Sequence, residues 1–448
     1  SFFCLTIKKY HICQSKFSIR KFEPTFSIQS KMIKKIILSI SLLISIASFA
    51  QEGTASPYSY YGIGDVRFKG TVDSRTMAGL SIFPDSIHLN LQNPAQLANL
   101  KLMTFGVGGT YTQSVLKTTS QKSNTKRTTF DYLAVGLPLG KVGVSFGIAP
   151  YSSVGYKIQN VITGDNARVS RYSGLGGVNK TFVGLGFYVA KNFSIGADIQ
   201  YNFGKIQTTS ITYLDGIQNG SREVNYSNVS GVTFNTGFSY HTKIAKKMYF
   251  FTSATYSPET SLKLSNSRVI DVVQLQADGS FATVGDPYTA DVVNSTIIIP
   301  EKVAVSAGFG LPKKWGLASE ITFQNSSNVT NRFNDIDNVT YEDARRFTIG
   351  GFYIPKYNSF TNYWDKVTYR AGIRHENTGL VINNQSITDT SLTFGLGLPL
   401  GGTFSNVNIG FEAGKKGKTS YGLVQENYGS ISIGLVFNDA WFKKRKIN

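Results

Sequence analysis

No stretch of about 18 consecutive apolar residues occurs after residue 50. Because a transmembrane helix needs about 20 such residues, the sequence excludes a helical membrane protein. Cysteine is almost absent as well, and both cysteines, Cys4 and Cys13, lie within residues 1–31. From residue 32 onward, neither disulfide bonds nor a thiol site can contribute to stability or chemistry.

Histidine is scarce too, and its distribution argues against an enzyme. After residue 50 only His88, His241 and His375 remain, far apart in the sequence. A hydrolase needs a nucleophile or an activated water beside a base, and no histidine forms a recognisable pair with a serine or an aspartate. We therefore expect no catalytic residues, no metal site and no cofactor.

The first fifty residues predict export. Met32–Lys35 supplies a positive start, Ile36–Phe49 is apolar apart from serines, and Ser48–Ala50 ends in small residues where a signal peptidase cleaves. The apolar run of about 14 residues is too short to span a membrane, so a signal peptide over residues 32–50 is favoured over a retained anchor. Residues 1–31 are then expected to lie upstream of the natural start.

Basic residues outnumber acidic ones, but their placement does not indicate a nucleic-acid partner. The whole chain has a formal net charge of +19, and removing residues 1–50, with eight basic residues and one acidic residue, leaves +12. The remaining lysines and arginines are scattered rather than gathered on one face. Solvated turns and a charged interior explain them better, and an exported chain seldom meets nucleic acid.

From about residue 102 the sequence alternates between apolar and polar residues. In 193–204, phenylalanine, isoleucine, alanine and tyrosine occupy one face, and serine, aspartate, glutamine, asparagine and glycine the other. Such a pattern predicts an all-β fold, a transmembrane antiparallel β-barrel with lipid on one face and a polar lumen on the other. About fourteen segments show it, near 102–116, 128–138, 142–157, 178–190, 193–213, 222–241, 247–264, 292–311, 314–324, 343–355, 364–376, 387–399, 404–414 and 428–437.

The connections between these segments mostly alternate in length. Four are short, and five others, at 117–127, 158–177, 214–221, 265–291 and 325–342, are predicted to be long and polar. Outer-membrane barrels have short periplasmic turns and long external loops, so the first strand should run outward and the last should return to the periplasm. The longish connection at 356–363 is an exception.

Residues 51–101 lack the strand pattern. They are glycine-rich and irregular, and they contain Asn93, Pro94 and Ala95 shortly before the first predicted strand. In these features the chain resembles the FadL family of transporters for long-chain fatty acids and hydrocarbons, whose members have a plug with an Asn-Pro-Ala motif before a fourteen-stranded barrel. The resemblance implies that residues 51–101 form a plug in the lumen and residues 102–448 form the barrel.

A second feature of the resemblance lies in the third predicted strand. Pro150 interrupts its alternation, and Gly147 and Gly155 flank the interruption. Proline cannot donate a ladder hydrogen bond, so it marks a bulge or a kink. In the FadL family a kink in the third strand opens a lateral exit into the membrane, and the resemblance implies this role for Gly147, Pro150 and Gly155. The alternative is an ordinary bulge near a strand end.

The eleventh predicted strand places Arg370 and Arg374 toward the lumen. A guanidinium group there could bind a fatty-acid carboxylate through two hydrogen bonds. The alternative is that both arginines pair with lumen acids such as Asp198, Glu320 and Glu412 and brace the barrel.

These features together predict a passive uptake channel in the Gram-negative outer membrane. Its partners would be a hydrophobic small molecule, a fatty acid or a hydrocarbon, and the surrounding lipid, and we expect a monomer. One alternative is a barrel of the same superfamily that has lost transport and acts as an attachment or shuttle protein for secreted cargo. A hydrophilic porin is a further alternative, but a plug of about 50 residues argues against it.

Overall fold

The computed structural model describes residues 53–440 apart from 165–166, 215, 246, 330–337 and 402–403. The predicted upstream segment and signal peptide, residues 1–50, lie outside the described residues. Within the described part of the chain, no helix combines the length and the apolar character needed to span a membrane.

One antiparallel sheet contains all the strands among the described residues. Its last strand pairs with its second from Gln425↔Lys117 to Asp439↔Met103, and this pairing closes the sheet into a barrel. The strands are β1 (Asp65–Val66), β2 (Met103–Lys117), β3 (Lys122–Leu139), β4 (Val142–Ile162), β5 (Arg168–Ala190), β6 (Phe193–Leu214), β7 (Asn219–Lys243), β8 (Tyr249–Ser257), β9 (Thr260–Leu275), β10 (Phe281–Ala290), β11 (Ser295–Ile299), β12 (Lys302–Leu311), β13 (Trp315–Gln324), β14 (Val339–Tyr341), β15 (Ala344–Tyr353), β16 (Thr368–Ile382), β17 (Gln385–Pro399), β18 (Asn406–Lys416) and β19 (Gln425–Asp439).

The barrel wall has fourteen strands, which confirms the predicted fold class. β1 is not part of the wall count, because it comes from the segment before the barrel. Three wall strands are divided into shorter segments. The first consists of β8 and β9, which both pair with β7. The second consists of β10, β11 and β12, which pair with β8 and β9, and the third consists of β14 and β15, which both pair with β16.

The two faces of the wall differ as the alternation predicted. On β6, Ser194 and Asn202 are buried toward the lumen, whereas Ile199 and Tyr201 are about half exposed on the outside. Each outward apolar side chain avoids hydration in lipid, and each inward polar side chain finds partners in the lumen. The apolar exterior and the closed hydrogen-bond ladder make this an outer-membrane type of barrel.

Among the described residues, two of the predicted long external loops, 158–177 and 265–291, are mostly strand, which corrects that part of the prediction. Within 158–177, β4 and β5 stay paired as far as Ile162↔Arg168. Within 265–291, β9 pairs with β10 as far as Leu275↔Phe281. The hydrophobic alternation fades there because both faces of these extensions meet water, yet the many threonine, serine and valine residues still favour extended backbone. The longish connection predicted at 356–363 is present between β15 and β16.

Residues 53–101, called the plug below, pack against inward-facing residues of the wall. The plug contains β1, one turn of α-helix over Val72–Arg75, and two 3-10 helices at Pro57–Tyr60 and Pro94–Asn99. A third 3-10 helix, Trp364–Lys366, lies in the periplasmic connection before β16. Fully buried plug residues such as Leu80 and Ile82 supply an apolar core that a polar lumen alone would lack.

Candidate functional site

Arg374 lies in a cluster of lumen acids. Its Nη2 donates to Asp389 Oδ2 at 3.2 Å and to Glu412 Oε1 at 3.1 Å, with the Tyr428 hydroxyl at 3.3 Å. Glu412 is one of the acids that the sequence named as a pairing partner. These contacts favour the wall-bracing alternative, since the cation of Arg374 is already shared between two carboxylates.

Arg370 lies on the same face of β16, four residues before Arg374 and nearer the start of the strand. It is buried, and its Nη1 donates to Asn408 Oδ1 at 3.0 Å. The other two acids named from the sequence have different partners: Glu320 pairs with Arg346 at 3.3 Å, and Asp198 lies 3.8 Å from Lys69 of the plug.

Asn93, Pro94 and Ala95 anchor the plug to the wall. The Asn93 side chain accepts a hydrogen bond from the Ala95 amide at 3.0 Å, which caps the 3-10 helix. Its Nδ2 donates to the carbonyl of Phe238 on β7 at 3.1 Å. The motif therefore joins a local turn to the barrel wall.

Glycines make room for this contact. A Cβ atom added at Gly186, Gly196 or Gly237 would collide with Pro94 or Asn93. We call these three residues the first glycine patch. Because backbone of the plug lies directly on backbone of the wall, larger side chains at these positions are excluded.

A second group of glycines, called the second glycine patch, contacts the plug on the opposite side of the barrel. Cβ atoms added at Gly350, Gly372, Gly395 or Gly410 would meet residues Thr76 to Ala78. Beside it, the Ala78 amide donates to Thr393 Oγ1 at 3.0 Å, and that hydroxyl donates to the Thr76 carbonyl at 3.1 Å. Two rigid wall surfaces thus hold the plug between them.

β3 and β4 pair over only part of their length. The paired region runs from Leu139↔Val142 to Leu133↔Ile148, whereas β3 extends on to Lys122 and β4 to Ile162. We call this divergence the β3–β4 seam. Polar backbone at such an edge requires other partners, and the plug supplies some of them.

The three predicted kink residues lie along this seam. In the β4–β5 register Pro150 faces Asn179 and Ser152 faces Val178, so Tyr151 between them is a bulge. A Cβ at Gly147 would collide with β3, and one at Gly155 would collide with the Thr54 carbonyl of the plug. Gly147 therefore allows the last close pairing with β3, and Gly155 allows the plug to reach β4.

The bulge has a counterpart that sequence reasoning missed. Gly176 and Gly177 on β5 have φ values of 102° and 149°, a conformation that side chains disfavour. They face Val154 and Ser153, so two flexible residues accommodate the distorted part of β4. Their positions in an apparently regular strand are the only sequence signal.

A strand of the plug partly covers the seam. β1 pairs with β4 through Asp65↔Ser153 and Val66↔Ser152, and Val66 is 62% exposed. Asp65 forms an ion pair with Lys416 at 2.6 Å. Burial alone would raise the pKa of Asp65, but Lys416 and other nearby cations outweigh burial and lower it to about 2.

The lumen contains a cavity of about 420 Å³ between the plug and the wall. Its lining mixes charged residues with apolar ones such as Ile63, Tyr151 and Ile297. Next to it, a narrow pocket of about 20 Å³ is bordered by Phe68, Leu97, Tyr132, Ala149 and Phe182 near the seam.

An aspartate–histidine pair closes a turn of the plug, which the sequence pattern did not reveal. His88 Nδ1 lies 2.8 Å from Asp85 Oδ2, and Asp85 Oδ1 accepts the amides of Ile87 and His88. Burial opposes ionisation of both groups, but their mutual attraction wins, lowering the pKa of Asp85 and raising the pKa of His88. Among the described residues, no group of three or more metal-ligating side chains is close enough to hold a metal ion.

Comparison with known proteins gives a family and a fold. A family model described as BamG matches residues 32–448. A comparison with curated proteins found no match.

Three solved structures share the architecture. The CymD monoaromatic hydrocarbon channel has a TM-score of 0.55 at 15% identity and covers 84% of this chain and 98% of its own. The toluene transporter TodX of Pseudomonas putida has a TM-score of 0.54 at 15% identity, covering 85% and 100%. A FadL homologue of Pseudomonas aeruginosa has a TM-score of 0.51 at 12% identity, covering 84% and 98%. At these identities the similarity concerns the fold.

Proposed function

The chain belongs to the BamG family, and from that premise we propose that it passes hydrophobic small molecules through the outer membrane by diffusion. The fold that it shares with hydrocarbon channels supports this reading. The observation that carries it is the β3–β4 seam, where a narrow pocket lined by both apolar and polar side chains lies beside wall strands that have parted.

The proposed route has three stages. A molecule enters the lumen cavity from outside, where the lining includes the apolar side chains of Ile63, Tyr151 and Ile297. It then reaches the narrow pocket beside Ala149 and leaves through the seam, near Gly147, Pro150 and Gly155. Burial of the molecule's apolar surface drives each transfer, so no energy source is needed.

A disulfide that fixes β1 to β4, and so holds the plug strand over the seam, tests this route. Val66→Cys with Ser152→Cys joins paired positions of β1 and β4, and residues 51–448 contain no other cysteine that could interfere. Uptake of labelled oleate should be measured in Gram-negative cells that produce the chain and lack their own fatty-acid transporter. We expect uptake to fall severalfold on oxidation and to return with a reductant.

The matched control places a disulfide in a fully paired part of the wall that does not border the cavity, with Ile409→Cys and Ile433→Cys on β18 and β19. It should leave uptake unchanged. If the seam disulfide forms completely and uptake persists, the exit lies elsewhere.

A binding role without transport is the second candidate, and the fixation of the plug favours it. Both glycine patches and the Asp65–Lys416 ion pair hold the plug in place. An attachment or shuttle protein for secreted cargo can keep a filled lumen, whereas a channel must open one. Folded wild-type protein that gives no oleate uptake would select this candidate.

A further inference from the structure

The connections at the periplasmic end of the barrel are strongly basic. Six connections join wall strands at this end, and their sequences contain eight lysines and one acidic residue, Asp365. They are residues 140–141, 191–192, 244–248, 312–314, 354–367 and 400–405. The carboxylate of Asp365 already accepts hydrogen bonds from Ser359 at 3.1 Å and from Asn362 at 3.2 Å. The positive charge of these connections is therefore largely uncompensated within them.

Two of these connections meet and bring lysines together with an aromatic ring. The amide of Ile354, which begins the connection between β15 and β16, donates to the Lys314 carbonyl in the turn between β12 and β13 at 2.7 Å. In the same place, Lys313 Nζ lies 4.8 Å from the centre of the Tyr357 ring. Lys313, Lys314 and Tyr357 are all exposed, so two cations and a ring share one surface.

Two aromatic residues at the ends of wall strands place this surface at the membrane boundary. Trp315 on β13 and Tyr353 on β15 are register partners, and they are 36% and 50% exposed on the lipid-facing side of the wall. Tryptophan and tyrosine concentrate where lipid headgroups meet acyl chains. Lys313 and Lys314 directly precede Trp315 and so lie at the level of the inner-leaflet headgroups. We call these four residues and Tyr357 the basic aromatic surface.

Lys313 occupies a backbone position that favours glycine. The Lys314 amide donates to the Leu311 carbonyl at 3.0 Å, and Pro312 precedes Lys313, whose φ is 61°. This is the geometry of a type II turn, in which glycine or asparagine is preferred at the position of Lys313. An exposed lysine there costs backbone energy and fills no core. Its positive charge is the property that it adds to the turn.

We propose that the basic aromatic surface binds the headgroup of an anionic phospholipid in the inner leaflet of the outer membrane. The ammonium groups of Lys313 and Lys314 attract the phosphate, and Trp315 and Tyr353 lie beside the first part of the acyl chains. A zwitterionic lipid carries its own cation next to the phosphate and gains less from the lysines. Because this surface lies outside the lumen, the inference is independent of the proposed route of transport.

Native mass spectrometry of the full barrel in mild detergent tests the site with equal amounts of dioleoyl phosphatidylglycerol and dioleoyl phosphatidylcholine. We expect the wild type to retain phosphatidylglycerol preferentially. Lys313→Gly with Lys314→Gln should weaken phosphatidylglycerol binding about tenfold or more, because each lysine near a charged headgroup contributes to the attraction. Phosphatidylcholine binding should not change. The turn should keep its form, since glycine readily adopts a φ of 61°.

Matched variants separate a specific site from general attraction to a basic barrel end. Lys313→Arg with Lys314→Arg keeps both charges and should retain phosphatidylglycerol. Lys191→Gln with Lys247→Gln removes two exposed lysines from other periplasmic turns and should leave binding at the wild-type level. Every variant must show the heat-dependent gel mobility of a folded barrel.

Three results would overturn the inference. The first is equal retention of both lipids by the wild type. The second is undiminished phosphatidylglycerol binding after Lys313→Gly with Lys314→Gln. The third is an equal loss after Lys191→Gln with Lys247→Gln, because the attraction would then belong to the whole basic end and not to this surface.

Discussion

Charged residues in the lumen are mostly held by one another, and Arg374 is the clearest case. Its guanidinium joins carboxylates from two wall strands, Asp389 on β17 and Glu412 on β18. Because these side chains are largely buried, each charge lowers the energetic cost of burying the opposite charge beside it. The cluster therefore stiffens this side of the barrel.

Arg374→Gln should destabilise the barrel strongly, by about 3–5 kcal/mol, because it leaves two carboxylates without their cation. The double variant Arg374→Gln with Glu412→Gln should lose less, since only one buried charge remains unpaired. Denaturant unfolding in detergent micelles measures both. Equal loss in the two variants would mean that the cluster is not coupled.

Asn93 illustrates a polar residue that connects two elements. Asn93→Ala removes the cap of the Pro94–Asn99 helix and the bond to the Phe238 carbonyl. We expect faster amide hydrogen exchange over residues 93–99, corresponding to a local loss of about 1–3 kcal/mol. The control Asn219→Ala, at an exposed strand start, should leave that exchange unchanged. Unaltered protection in Asn93→Ala would show that the helix does not need its anchor.

At the scale of elements, the plug is positioned by the absence of side chains on the wall. The first and second glycine patches lie under opposite parts of the plug. Direct contact between two backbones fixes distance more tightly than contact between flexible side chains does. The patches thus define where the plug can sit, and the β3–β4 seam defines where the wall parts.

Gly186→Val should displace the plug, because its side chain would occupy the space of the Pro94 carbonyl. We expect larger single-channel conductance in planar bilayers and faster proteolysis of residues 53–101. Gly429→Val is the matched control, since Gly429 lies on a wall strand with no atom near its added Cβ. Conductance that stays at the wild-type level in both variants would contradict the docking role of the patch.

The whole molecule is an outer-membrane barrel whose lipid-facing belt covers only the lower part of some strands. Strands such as β7, with 25 residues, are longer than the about 9–11 residues that a tilted strand needs to cross a bilayer. Their upper parts must project beyond the membrane. Position along a strand, and not apolar character alone, therefore decides what a substitution does.

Ile199→Arg on β6 should impair folding into lipid vesicles, at a cost of about 2–4 kcal/mol near the bilayer midplane. Val272→Arg should have little effect, although Val272 is equally exposed at 47%, because it lies near the far end of β9. Folded fractions are read from heat-dependent gel mobility. If both substitutions impaired folding equally, Val272 would also lie within the lipid-facing belt, which would then extend farther along β9 than proposed.

The sequence by itself determined the class of the molecule. Period-two alternation, as in residues 193–204, requires one apolar and one polar face, and such strands avoid exposed edges in lipid by closing into a barrel. It also marked Pro150 as a break, because a missing amide is a property of the residue alone. Fourteen wall strands and short periplasmic turns follow from these local signals.

Only the tertiary structure decided which side chains meet. Lys416 joins Asp65 and Arg374 joins Glu412 because the closed wall and the plug bring distant segments together. The external extensions of β4 and β9 likewise depend on pairing with a neighbour and not on a hydrophobic pattern of their own. Which residues far apart in the sequence come into contact depends on how the strands pair when the barrel closes. The local alternation of apolar and polar residues contains no information about that pairing.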